Sequence, residues 1–335
     1  MINGDRLTRE TILWGMVGGG KGSQIGYIHR SAAERDRYFQ LVAGAFDLNP
    51  DRGRAFGEEL GLDPARCYAD YKAMFAAESA RPDGIRAVSI ATPNNTHYEI
   101  SKAALEAGIH VICEKPLTFT TAEALELQRI ATERGLLVGV TYGYSGYQMI
   151  EEAARLVASG ALGEIRLVNL QFAHGFHNEA VEDANPAIRW RVDPKFAGPS
   201  YVLGDLATHP FYLSEVICPQ LKIRRLMCAR QSFIASRAPL EDNAVTLMEY
   251  EGGAFGTLWT SAVNAGAMHS QRVRIVGSKA SVEWWDEHPN QLSLEVQGEP
   301  PRLLDRGMGY LHAETLGDDR ISGGHPEGLF EAWAN

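Results

Sequence analysis

Val17-Gly18-Gly19-Gly20-Lys21-Gly22-Ser23-Gln24-Ile25-Gly26 is a glycine-rich turn between the apolar run Ile12 to Val17 and a helix-like segment, Gln24 to Arg35. A strand, a glycine turn and a helix in this order make a ready anion site. The glycines allow a tight turn, and the free N–H groups and dipole at the helix start attract a diphosphate. The usual fingerprint is G-x-G-x-x-G, and counted from Gly18 its last glycine falls on Ser23. The stretch therefore reads as a fingerprint with a short insertion. Gly18 and Gly20 form the turn and let the backbone approach a pyrophosphate, Gly22 lies in the same loop, and Gly26 permits close packing of helix on strand.

Working outward, strand-like and helix-like segments alternate. Leu41 to Phe46, Val88 to Ala91, Val111 to Cys113 and Leu136 to Tyr142 read as strands. Pro50 to Leu60, Tyr71 to Glu78, His97 to Ala107 and a segment running to Arg134 read as helices. The last of these opens on Thr120-x-x-Glu123, a capping box, and stops at Gly135. Near-continuous apolar strands alternating with helices predict a parallel sheet covered on both faces. Asp47 ends the second strand, about 20 residues beyond the glycine turn, where a carboxylate accepts hydrogen bonds from adenosine ribose hydroxyls and repels a 2′-phosphate. Leu48 follows it, so the expected cofactor is NAD and not NADP.

In such sheets ligands bind beyond the carboxyl ends of the strands, where Thr92-Pro93-Asn94 and Glu114-Lys115-Pro116 fall. A cis Lys115-Pro116 bond is affordable and would aim Lys115 inward. Past a boundary near Tyr142 to Tyr147 the pattern changes. Ile150 to Ser159 reads as one helix, and strands are expected to dominate from Glu164 on. Leu247 to Tyr250 with Phe255 to Trp259, and Arg272 to Val276 with Ser281 to Trp285, read as hairpins. The second half is thus expected to be a mostly antiparallel sheet with one face on helices and the other open. Asp205 and His209, four residues apart, would share one face of a helix. A carboxylate there can orient an imidazole suited to moving an alcohol proton near neutrality. The segment Glu327 to Asn335 reads as the opening turns of a helix.

Bulk composition narrows the classes. The 335 residues suffice for two ordinary domains, here 1–142 and 143–335. A formal net charge of −10 argues against a broad grip on nucleic acid or an anionic membrane. Four scattered cysteines fit reduced thiols, no zinc spacing occurs, and the polar Met1 to Glu10 is no signal peptide. A cytoplasmic protein without metal is the expectation.

Taken together, these motifs resemble the Gfo/Idh/MocA family of NAD(P)-dependent sugar and polyol oxidoreductases. The resemblance rests on the glycine turn with Gly26-x-x-His29, on Asp47, and on Ala91-Thr92-Pro93-Asn94 followed by His97. It continues through Glu114-Lys115-Pro116, Ser159 to Ile165, and Asp205-x-x-x-His209. It implies an N-terminal Rossmann domain, doubly wound on a parallel sheet, and a C-terminal α/β domain whose large open sheet pairs copies into a homodimer or homotetramer. It also implies a division of labour. His209 acts as base or acid on a substrate hydroxyl, Lys115 bonds that hydroxyl and stabilises alkoxide, and Asp205 positions substrate. Gly18, Gly20, Gly22, Gly26, Asp47, Thr92, Asn94, His97, Glu114 and Lys115 fall to the cofactor. Gly143 stands where relatives often carry an arginine, which implies more room or another substrate preference.

Weaker candidates for the sugar or polyol site are Tyr142, His174, Trp190, Arg191 and His325. His174-x-x-His177 has a metal-like look, but on a strand a spacing of three puts the two rings on opposite faces. Arg191 could bind hydroxyls or form an ordinary salt bridge. Two other functions stay open beside a dehydrogenase: a lyase or glycosidase that uses NAD transiently, and a non-catalytic sensor of nucleotide or sugar.

Overall fold

The computed structural model describes residues 10–335. The predicted alternation builds a five-stranded, all-parallel sheet in the order β2-β1-β3-β4-β5. The strands are β1 (Ile12–Gly18), β2 (Phe39–Ala45), β3 (Ala87–Ala91), β4 (His110–Cys113) and β5 (Val138–Val140). The helices between them are α1 (Gln24–Arg35), α2 (Pro50–Glu59), α3 (Tyr71–Ser79), α4 (His97–Glu106) and α5 (Thr121–Arg134).

Apolar side chains on both faces drive this arrangement. Val17, Ala43, Val88, Ile90, Val111 and Leu127 belong to one buried cluster, and Trp14, Met16, Leu41, Phe46 and Phe56 to another. The buried Trp14 indole donates to the Ser89 hydroxyl at 3.1 Å, so its N–H is not stranded. Local signals set the helix ends. Ser23, Asn49, Asp70 and Thr120 cap α1, α2, α3 and α5, and Gly135 ends α5 in the left-handed region at φ 65°.

Thr141 closes the first compact unit, and Tyr142–Trp333 forms the second. The second unit carries an eight-stranded sheet in the order β13-β12-β11-β10-β6-β9-β8-β7. Its strands are β6 (Ile165–Ala173), β7 (Ile223–Gln231), β8 (Asn243–Tyr250), β9 (Phe255–Ser261), β10 (Gln271–Gly277), β11 (Ala280–Trp285), β12 (Gln291–Val296) and β13 (Arg302–Asp305). Both predicted hairpins are present as β8–β9 and β10–β11. The sheet is antiparallel except at its centre, where β6 runs parallel to β9.

Helices α6 (Gln148–Ala158) and α10 (Thr208–Ile217) share a core with the sheet, with Ile150, Ala153, Leu213 and Ile217 buried with Val168, Leu170 and Leu258. Between β6 and α10 the chain leaves the sheet. The chain forms one-turn helices α7 (Val181–Ala184), α8 (Pro186–Arg189) and α9 (Pro194–Ala197), then a π-turn at Leu203–Ala207. Pro194 at the first turn of α9 and the Asp193 cap favour helix starts over a ladder. Helix α11 (Leu329–Ala334) matches the predicted terminal turns.

Candidate active site

In the first unit, the strand order reverses between β1 and β3, and the glycine turn meets the end of β3 at that point. Gly18 pairs with Ala91 in the register, and the Gly19 N–H donates to the Ala91 carbonyl at 3.0 Å. Gly18 and Gly19 have φ of 74° and 63°. A Cβ on Gly18 would lie 2.5 Å from the Ala91 oxygen. A Cβ on Gly26 would lie 2.2 Å from the Gly19 oxygen, so α1 packs backbone to backbone on the turn. The partner of Gly26 is Gly19, and a Cβ on Gly20 would strike the Phe46 carbonyl at 2.6 Å. Gly22 has open space around it at φ 82°, so conformation and not crowding demands glycine there.

Ser23, which spoiled the fingerprint, accepts from the Gly26 N–H at 3.1 Å and caps α1. Arg30 reaches back and donates to the Gly19 carbonyl at 2.7 Å. The turn thus has the bare backbone, left-handed residues and helix start that a diphosphate requires.

Asp47 follows β2 as expected, but its carboxylate already has partners. Arg52 donates to both oxygens, at 2.8 and 3.1 Å, and the Asn49 N–H donates at 2.8 Å. The Arg52 hydrogen bonds, helped by Asn49, hold the Asp47 carboxyl below its ordinary pKa. The Arg52 side chain is 71% exposed, so the pair can open at small cost.

His29 and His97 organise the strand ends. His29 Nε2 lies 2.9 Å from Glu114 Oε1, and the Thr141 hydroxyl donates to the same oxygen at 2.6 Å. Burial pushes the Glu114 carboxyl up, but the His29 and Thr141 hydrogen bonds and the Lys115 charge outweigh it, and the net pKa is lowered. Glu114 is therefore a buried anion that ties α1 to the turn bearing Lys115. His97 is fully buried, with Nδ1 2.8 Å from the Pro116 carbonyl and Nε2 2.9 Å from that of Thr92. The neutral ring has one N–H, so it serves one carbonyl at a time. This corrects the expected role of His97: it staples the Thr92 and Lys115 turns together and presents no ring atom to a cofactor. Thr92 is bonded by the Thr96 hydroxyl at 2.7 Å, Asn94 is 8% exposed, and the Lys115-Pro116 bond is cis.

In the second unit, His209 on α10 sits in a ring cluster. Its imidazole meets Tyr144 edge-on at 4.9 Å, Tyr142 edge-on at 5.7 Å and Phe172 at 5.9 Å between centroids. Tyr142 is stacked on Tyr212 at 4.6 Å. Asp205 lies in the π-turn that runs directly into α10, and its carboxylate pairs with Arg191 at 3.4 Å. Arg191 also lies over the Trp190 ring at 4.5 Å. The two readings of Arg191 thus merge, because its salt-bridge partner is itself a candidate site residue.

The expectation that His174 and His177 diverge is wrong. β6 ends at Ala173, and a turn at Gly175 brings the two rings to 5.4 Å. Among the described residues no group of three or more His, Cys, Asp and Glu side chains could hold a metal ion. His177 bonds the Tyr201 hydroxyl through Nδ1, and His174 Nδ1 accepts from the Phe176 N–H at 3.2 Å, which leaves the His174 proton on Nε2. His325 sits in an exposed turn with its ring 3.4 Å from Ser322, and it is not part of the ring cluster. Gly143 adds no room: a Cβ there would fall 1.9 Å from the Trp333 indole nitrogen, which fills the space. Arg30, Phe172, Tyr201 and His269 escaped the sequence reading. Only Phe172, at the end of an apolar run two residues before His174, carried a signal.

Burial, then the nearby His177 charge, lowers the His174 pKa to about 4, and burial lowers His97 and His177 as well. A ring whose folded pKa lies below its unfolded value contributes stability above the unfolded pKa, and that contribution is lost as pH falls through the folded one. Thermal stability should therefore fall on acidification from pH ~6.5 to ~4, with His174 accounting for about 3 kcal/mol. His174→Asn should flatten the slope of Tm against pH in that window. An unchanged slope would show that His174 does not titrate as placed.

Comparisons with known proteins agree with this geometry. Residues 12–142 match the family model of an oxidoreductase family with an NAD-binding Rossmann fold, and residues 154–335 match that family's C-terminal alpha/beta domain. A crystal structure of an inositol dehydrogenase homolog from Azotobacter vinelandii, complexed with NAD+, is 65% identical with a TM-score of 0.98, covering 100% of this chain and 86% of that one. A second structure of such a homolog from Azotobacter vinelandii, with NADH and myo-inositol, is 64% identical with a TM-score of 0.95, over 99% and 86%. An uncharacterised oxidoreductase of Bacillus subtilis is 57% identical over 100% of this chain and 86% of its own length.

Proposed function

The chain belongs to the Gfo/Idh/MocA oxidoreductase family, and we propose that it oxidises, reversibly, a secondary hydroxyl of an inositol-class polyol with NAD. It is an NAD-dependent dehydrogenase of the sugar and polyol type. The observation that carries the finer reading is the 64% identical Azotobacter structure holding NADH and myo-inositol together.

Bound NAD supplies a hydride acceptor and donor at nicotinamide C4. The protein's own residues do the rest. The Gly18 to Gly20 turn and the start of α1 bind the diphosphate, and Asp47 takes ribose hydroxyls after Arg52 moves. Lys115 donates to the reacting oxygen and stabilises alkoxide charge as the C–H bond breaks. His209 takes the hydroxyl proton during oxidation and returns it during reduction. Asp205, oriented by Arg191, positions a neighbouring hydroxyl, and Tyr142 forms an apolar wall beside the imidazole.

We also assign assembly to the outward face of the large sheet. Every residue of β7 is exposed, and on the face turned away from the core Met227, Val245 and Leu167 are 67, 42 and 44% exposed. Apolar surface of this kind favours a homo-oligomer. Among the described residues no helix is long and apolar enough to cross a membrane.

The test is a panel of inositols and monosaccharides offered with NAD, with NADH and oxidised product measured separately. NADH formed in step with a ketone from at least one inositol is expected. Product without NADH would mean redox-neutral chemistry, and no turnover on any inositol would remove the substrate class.

A further inference from the structure

A carboxylate, an imidazole and a phenol lie in line behind His209. Asp286, just past β11, is clamped to the sheet: its Oδ1 accepts from the Gln271 N–H at 3.0 Å, and its own N–H donates to the Gln271 carbonyl at 3.1 Å. Its Oδ2 accepts from His269 Nδ1. Glu287 fixes the same loop by accepting from the backbone N–H groups of His269 and Ser270 at 3.2 and 2.9 Å. An ionised Asp286 only accepts, so the neutral His269 ring carries its proton on Nδ1 and leaves Nε2 as an acceptor. The Tyr144 hydroxyl lies 3.3 Å from that nitrogen and donates to it. The Tyr144 ring then meets His209 at 4.9 Å and 85°, while Phe172 touches both imidazoles, at 4.6 Å to His269 and 5.9 Å to His209.

We propose that Asp286, His269 and Tyr144 are positioning residues that set the orientation of the His209 imidazole. The inference rests on the reading of His209 as the group that moves the substrate proton. The physical reason is rigidity. A T-shaped ring contact is directional but weak, so it orients a partner only if the ring itself is held. The Tyr144 hydroxyl is the handle by which the sheet holds that ring, through an imidazole whose tautomer Asp286 fixes. The same logic governs outer partners of reacting histidines elsewhere, where a second hydrogen bond fixes both tautomer and ring angle.

The experiment uses the whole chain. Tyr144→Phe keeps the ring and removes only the handle; His269→Gln and Asp286→Asn break the line further back. Each should lower kcat by about 10-fold with KM for polyol moved far less, the scale on which outer partners act. In a double-mutant cycle with His209→Gln, Tyr144→Phe should cost nothing further. In 15N-histidine spectra, His269 should carry its proton on Nδ1, and Asp286→Asn should move it to Nε2. A wild-type His269 protonated on Nε2, or losses that simply add to that of His209→Gln, would overturn the array while leaving the catalytic assignment intact. A His209→Gln variant with undiminished kcat would instead overturn the assignment of His209 and, with it, the array.

Discussion

Lys115→Met is expected to lower turnover at least about 100-fold, the lower bound for loss of a positioned acid–base or charge-stabilising group, with any weakening of NAD binding much smaller than that. Methionine keeps the length of the side chain and removes its charge and its hydrogen-bond donors. The turn itself does not depend on the ammonium. It is held by the Glu114 N–H on the Ile90 carbonyl at 3.0 Å, by His29 on the Glu114 carboxylate, and by His97 on the Pro116 carbonyl. The loss should therefore fall on kcat, with NAD binding measured directly by quenching of protein fluorescence. A variant that turns over at the wild-type rate would take Lys115 out of the chemistry.

Asp47→Ala is expected to swing cofactor preference from NAD toward NADP by at least about 100-fold. Two effects add. The ribose hydroxyls lose a charged acceptor, worth about 1.5–3 kcal/mol, and Arg52 loses the carboxylate that now engages both of its donors. The freed guanidinium is then available to a 2′-phosphate, which the wild-type carboxylate repels. Asp47→Ala combined with Arg52→Ala should lose NAD affinity without gaining NADP. The check is kcat/KM for both cofactors in wild type and both variants. An unchanged ratio would place the adenosine ribose elsewhere.

Most of the first unit was legible because its signals are local. The glycine turn, the Thr120-Glu123 box and Gly135 each dictate a backbone conformation within a few residues, and the apolar strands need only be buried on both faces. What the sequence hid is relational. Ser23 looked like a defect in the fingerprint and proved to be a helix cap, while Gly26, three residues on, provides the close packing of helix on turn. His97 lay within the expected cofactor set because of the family resemblance of Ala91 to His97; its burial against two carbonyls comes from packing at the start of α4, which the motif does not reveal.

The second unit was read less completely for the same reason. The two hairpins announced themselves through Glu251 to Ala254 and Gly277 to Lys279, whereas the parallel pairing of β6 with β9 joins residues far apart in sequence. His174 and His177 were misjudged because strand periodicity was carried four residues past the end of β6, through the Gly175 turn. Asp205 and His209 lie on one helical run as expected, but its Leu203–Ala207 part is π-wound, and Asp205 pairs with Arg191. The line from Asp286 through His269 to Tyr144 spans three distant segments, so it existed in the sequence only as three unremarkable polar residues.

We propose that Lys115 and His209 serve one reacting hydroxyl. The most direct measurement is a crystal structure of the protein with NADH and myo-inositol. The account predicts one inositol oxygen within hydrogen-bond reach, roughly 2.6–3.2 Å, of both the Lys115 ammonium and a His209 ring nitrogen. An inositol that contacts neither group, or contacts them through oxygens on opposite sides of its ring, would contradict it.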